Sequence, residues 1–196
     1  MTPVVASLVR AAEALAPHCD FAIVGGLAVS IRAEPRLTRD SDFAVSVAND
    51  AEAEALVRSL AASGYVAIAL VEHEAVGRLA TARLRADDDG GRIVDLLFAS
   101  SGIEREVVAS ATVEPVSTSV SLPVATIGHL IALKLLARDD RRRPQDADDL
   151  RALADVALDT DWSVAAESVG LIAERGYARG RDLAASLDVL RTDGAY

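Results

Sequence analysis

The stretch "VGGLAVSIRAEPRLTRDSDFAVSV", residues 24–47, restricts what the chain can fold into more than any other. The apolar run "FAIV" (21–24) ends at Gly25-Gly26, and "GLAVSIR" then has the character of a short helix stopped by Pro35. A second strand, "DFAVSV" (42–47), follows two aspartates, Asp40 and Asp42. Side chains alternate along a strand, so residues two apart share a face, and Asp40 and Asp42 are expected to point the same way. Asp95 lies deeper, inside the apolar run "RIVDLLF". Burying one ionised carboxylate is expensive without a partner, and three converging ones also repel. A divalent cation relieves both problems, because Mg²⁺ takes carboxylate oxygens and keeps substrate phosphates as further ligands. Two such ions about 3.5–4 Å apart could clamp the attacking and leaving oxygens of a phosphoryl transfer. Plainer readings stand beside this one. Asp40 could be a turn residue after Arg39, and Asp95 could pair with one of the nineteen arginines. Among thirty acidic residues a D-x-D is common, so the signal is the whole constellation.

The pattern on either side gives an α/β half followed by a helical half. Val5, Leu8, Val9, Ala12 and Leu15 form the stripe of an amphipathic helix over 4–16. Asn49 or Asp50 caps a helix whose apolar face is Leu56, Val57, Leu60 and Ala61, and Gly64 closes it. "YVAIALV" is a third strand. "RLATARLRA" and "GRIVDLLFAS" flank "DDDGG" as a hairpin. "TVEPVSTSVSLPVA" holds one or two short strands, with a proline that suits a sheet edge. From Thr126 only helices are expected, over roughly 126–138, 144–156, 161–175 and 180–191. The expected division is therefore 1–124 and 125–196, the two packed together.

Gly25 and Gly26 sit where a strand gives way to a helix. Glycine lets the backbone bend and lets a ligand approach, and helix N-terminal N–H groups suit phosphates. Neither a G-x-x-x-x-G-K-[ST] nor a G-x-G-x-x-G pattern occurs. A plain tight turn is the alternative. Nineteen of the twenty basic residues are Arg, and the exception, Lys134, lies in the apolar helix "LIALKLLAR". It either snorkels to solvent or reaches inward to neutralise a triphosphate, with Arg138 four residues on completing a cationic rail. Asp146 and Asp149 lie three apart on the next helix. They either favour its N-terminus electrostatically or hold the basic residues in place. His18, His73 and His129 have no metal-ligand spacing.

Composition narrows the function classes. A formal charge of −10 repels nucleic acid in bulk, so contact with a polyanion needs local basic patches such as "RAEPRLTR" or "RDDRRR". No apolar run reaches the roughly 20 residues of a membrane span, and Arg10 and Glu13 break what a signal peptide would keep apolar. The single Cys19 excludes an internal disulfide and a cysteine zinc cluster. The expected location is the cytoplasm.

Gly25-Gly26, Asp40-Ser41-Asp42 and Asp95 together resemble the nucleotidyltransferase superfamily with the polymerase-beta-like fold. The approach Arg36 through Asp42 and the segment "LIALKLLARDDRRRPQDADDL" are similar to the AbiEii/AbiGii toxin-like branch of bacterial toxin–antitoxin and phage-defence systems. The likeness covers roughly residues 20–155. It implies an α+β fold, a mixed sheet flanked by helices, followed by a C-terminal helical bundle. It further implies metal-dependent transfer of a nucleoside monophosphate from an NTP to an acceptor hydroxyl, either of tRNA or of a small aminoglycoside-like molecule, and a cognate antitoxin. Asp40, Asp42 and Asp95 would bind Mg²⁺ or Mn²⁺ and carry the catalysis. Asp95 would help deprotonate the acceptor, and Gly25, Gly26, Thr38, Lys134 and Arg138 would hold the nucleotide. Many members carry Gly-Ser where this chain has Gly26, which offers only a backbone N–H. A non-catalytic nucleotide- or partner-binding module of the same fold is the alternative from another class.

Overall fold

The computed structural model describes residues 3–35, 38, 40–86, 91–139 and 145–193. Arg36, Arg39, most of the "DDDGG" turn, the arginines of 141–143, Pro144 and Gly194 lie outside the described residues.

The chain begins with α1 (Pro3–Leu15), β1 (Phe21–Val24), α2 (Gly25–Arg32) and β2 (Ser41–Val45). Next come α3 (Asp50–Ala61), β3 (Tyr65–His73), β4 (Arg78–Ala86), β5 (Ile93–Leu97) and α4 (Glu104–Ala109). β6 (Thr112–Pro115) and β7 (Ser121–Val124) complete a seven-stranded sheet of order β3-β4-β5-β2-β1-β7-β6. The helices α5 (Ile127–Ala137), α6 (Gln145–Val156), α7 (Asp159–Glu174) and α8 (Leu183–Asp193) follow. The sheet is mixed: β1 is parallel to β7 and β2 to β5, and the other neighbours are antiparallel. This is the α+β arrangement expected from the sequence, with the helical segment after the last strand.

Local chemistry explains most boundaries. Asn49 caps α3 by accepting from the Glu52 N–H, and the Glu52 carboxylate accepts from the Ala48 N–H, a reciprocal cap. α1 buries Ser7, Leu8, Ala11, Ala12 and Leu15, so its inner face is rotated slightly from the expected stripe, leaving Val5 and Val9 half-buried. Leu15, Leu60, Tyr65, Leu84, Val94 and Leu96 meet beneath α1 and α3, which places one sheet face in the core. β5 alternates, so Asp95 points to the opposite face from Val94 and Leu96. The expected hairpin is present as β4–β5, and β3 extends it as an edge strand. β3 leaves Val66, Ile68, Leu70 and Val71 exposed.

α4 was not expected from the pattern. Its entrance is organised by buried Glu104, which accepts from the Ser100, Ser101 and Gly102 N–H groups and from the Ser101 hydroxyl. The helical half is docked on the sheet half. α5 packs on α2, α6, α7 and α8, and is buried at Gly128–Ala132 and Lys134–Leu136. Gly128 permits the close approach of α7, because a Cβ there would overlap the Asp161 carbonyl oxygen and the Val164 side chain. Arg175 joins α7 to α4 through the Gly102 carbonyl and a 2.7 Å pair with Glu106. Among the described residues no helix is long and apolar enough to cross a membrane.

Candidate nucleotidyl-transfer site

The register of the central strands builds the site. Asp42 stands opposite Val24 on one side and Asp95 on the other, so the two aspartates are direct cross-strand neighbours on one face. Asp95 is buried and Asp42 half-buried. Asp40 differs from expectation: β2 begins at Ser41, so Asp40 precedes the strand and is exposed. Thr38 donates its hydroxyl to the Asp40 carbonyl at 3.4 Å, within the loop that leads into the strand.

Gly25 requires its glycine. Its φ is +67°, in the left-handed region, and a Cβ there would overlap the Asp42 carboxylate and stand 2.9 Å from the Asp42 Cβ. The chain thus turns from strand to helix directly against the Asp42 carboxylate. The α2 N-terminus has no side-chain cap hydrogen bond, and it starts at Gly25, the residue packed against Asp42. Gly26 is buried, and the Ser30 hydroxyl donates to the Gly26 carbonyl at 3.0 Å.

The nineteen arginines supply what the spacing left open. Arg83, on β4, faces Asp95 in register and grips it at two points, Nε to Oδ1 at 2.9 Å and Nη2 to Oδ2 at 2.7 Å. The hydrogen bond to Asp95 and then its charge raise the Arg83 pKa, and Asp40 and Asp42 add to the effect. One guanidinium therefore answers three carboxylates. The sequence held a signal for this pair: a hairpin folded symmetrically about the Asp/Gly run places Arg83 across from Asp95.

Lys134 and Arg138 do not form a cationic rail. Lys134 is buried between α5 and α6, with Nζ 2.7 Å from Asp146 Oδ1 and 2.6 Å from Asp149 Oδ2. It neither snorkels nor stands unpaired; Asp146 and Asp149 hold it, as one of their two expected roles required. α5 ends at Ala137 because Arg138 leaves helical geometry (ψ 127°). Arg138 instead lines an open groove of about 570 Å³ with Leu135, Arg181 and residues of α8. Burial, and then the charge of Asp20, push the Cys19 thiol up to about 11, so it offers no thiolate near neutral pH.

Among the described residues no three His, Cys, Asp or Glu side chains converge closely enough to hold a metal ion. The donor set that fits Mg²⁺ is the pair Asp42 and Asp95, hard oxygens on one face beside a corner that Gly25 keeps clear. One or two carboxylates, completed by water and substrate phosphates, is the usual protein contribution to Mg²⁺.

The family described as "Nucleotidyl transferase AbiEii toxin, Type IV TA system" matches residues 7–192. No curated protein matches the chain. An antigenic nucleotidyltransferase-like protein from Paracoccidioides brasiliensis is similar in fold, with 18% identity and a TM-score of 0.54 over 95% of this chain and 92% of that one. The antibiotic-resistance factor ANT(2'')-Ia is 18% identical, with a TM-score of 0.46 over 95% and 88% of the two chains. JHP933 from Helicobacter pylori is 16% identical, with a TM-score of 0.43 over 95% and 96%.

Proposed function

Because the chain belongs to the AbiEii family of nucleotidyltransferase toxins, we propose that it moves a nucleoside monophosphate from an NTP to an acceptor hydroxyl at the Gly25–Asp42–Asp95 corner. The observation that carries this reading is the register Val24–Asp42–Asp95, with a glycine of positive φ closing on the middle carboxylate. The acceptor oxygen forms a bond to the α-phosphorus as the bond to the departing pyrophosphate breaks. The acceptor's proton passes to Asp95. Gly25, Gly26 and the α2 N-terminus bind triphosphate oxygens through backbone N–H groups. Thr38 steadies the loop that presents Asp40. Asp42 and Asp95, with Asp40 beside them, hold Mg²⁺ or Mn²⁺. When bound, that ion acts as a Lewis acid on the phosphoryl oxygens. Positioning and charge neutralisation supply most of the rate in such a transfer.

Lys134 acts on this reading by fixing α6 to α5, behind the helix that carries the glycines, and Arg138 contributes charge at the far end of α5. The acceptor is a tRNA, contacted through local arginine patches. A small hydroxylated acceptor is the second reading, favoured by the net charge of −10, which opposes bulk attraction of RNA. A cognate antitoxin is the partner the family implies. Incubating the protein with labelled NTPs, Mg²⁺ and either total tRNA or an aminoglycoside decides between the acceptors: label enters the tRNA on the first reading and the small molecule on the second.

A further inference from the structure

Arg83 takes up both oxygens of Asp95, the same carboxylate that the proposed transfer assigns to the divalent ion. Two well-aligned N–H···O bonds in one plane are the strongest grip a side chain can apply to a carboxylate. Asp95 has only a tenth of its side chain exposed, whereas Arg83 is nearly half exposed and can move without leaving a buried cation behind. Its field reaches Asp40 and Asp42 as well. Three carboxylates and one guanidinium leave two negative charges, the amount that one divalent ion neutralises.

We propose that Arg83 is a positioning residue that competes with the divalent ion for Asp95. Resting on the nucleotidyl-transfer reading, this assigns Arg83 the work of a second cation. It holds both Asp95 oxygens on the sheet face shared with Asp42 before the ion arrives, and yields one oxygen when it does. Asp95 is thereby spared an uncompensated burial in the ion-free state. The cost is weaker ion binding, which a nucleotide offsets by bringing its own phosphate ligands.

The test is direct Mn²⁺ binding to the full chain, read by the electron paramagnetic resonance signal of free Mn²⁺ without nucleotide. Arg83→Gln should tighten Mn²⁺ binding by at least about fivefold. Arg85, two residues along the same strand and opposite Ile93 rather than Asp95, controls for net charge. Arg85→Gln should change the affinity less than about twofold. Adding Asp95→Asn to Arg83→Gln should abolish the gain. Should Arg83→Gln fail to fold, Arg83→Lys keeps the charge but not the two-point grip, and should give an intermediate gain. Wild-type binding with no gain in the Arg83 variant, or an equal gain in Arg85→Gln, overturns the inference alone. Wild-type protein that takes up no Mn²⁺, even with NTP present, overturns the metal-dependent reading as well.

Discussion

Gly25 is the residue on which the site geometry turns, because no side chain fits between α2 and the Asp42 carboxylate. Gly25→Ala introduces both a left-handed alanine and an overlap with Asp42. The backbone strain alone costs about 1–2 kcal/mol. Urea denaturation should show at least that loss, with transfer activity falling further because Asp42 is displaced. Unchanged stability and activity would contradict the close approach. The Gly25, Asp42 and Asp95 positions were legible in the sequence because strand alternation and a glycine pair each follow from local chemistry. The pairing of Asp95 with Arg83 rather than another arginine follows only once the β4–β5 hairpin is folded symmetrically about its Asp/Gly turn. The alternation argument does not reach Asp40, because β2 begins at Ser41 and Asp40 lies exposed in the loop before it.

The pair α5–α6 is locked by ionic contacts inside an apolar layer. Lys134, Asp146 and Asp149 have side chains exposed by only 11%, 5% and 1%, and Asp146 Oδ2 has no hydrogen-bond partner among the described residues. Removing Lys134 takes away the ammonium that both buried carboxylates face at 2.6–2.7 Å. Lys134→Ala should therefore destabilise the protein by about 3–5 kcal/mol, seen as a large drop in denaturation midpoint. A loss of NTP affinity at unchanged stability would instead restore the lysine to the nucleotide. At the start of the same helix, His129 Nδ1 lies 2.8 Å from the Thr126 hydroxyl. Burial lowers the His129 pKa below its ordinary 6.5, against smaller opposing effects of Glu106 and Glu167. A depressed folded-state pKa means that the unfolded chain binds the proton more readily. Stability is thus greatest above about 6.5 and declines as pH falls through the folded value. Denaturation midpoints measured between about pH 7 and pH 5 should fall, and His129→Gln should flatten that slope. The long helices were legible through their apolar stripes. α4 was not, being short and entered through the side chain of Glu104 rather than a Ser, Thr, Asp or Asn cap.

For the whole molecule, the two halves form one packed body in which α2 is the shared element. It carries the glycines at its start, packs on α5 and α6, and ends at Arg32, which binds Glu114 at 2.6 Å and the Val124 and Ala125 carbonyls. The last strand, β7, ends at Val124, and among the described residues only helices follow it. The sheet order was not legible, because pairing β1 with β7 joins residues about a hundred apart, and no local pattern encodes that. The central claim is that this corner transfers nucleotides with Asp42 at its heart. It is tested most directly by following label from each α-³²P NTP into total tRNA with Mg²⁺, for the wild-type chain and Asp42→Ala. The account predicts transfer by the wild type and a loss on the order of 100-fold or more in the variant, with the variant still folded. Full transfer by Asp42→Ala would contradict it.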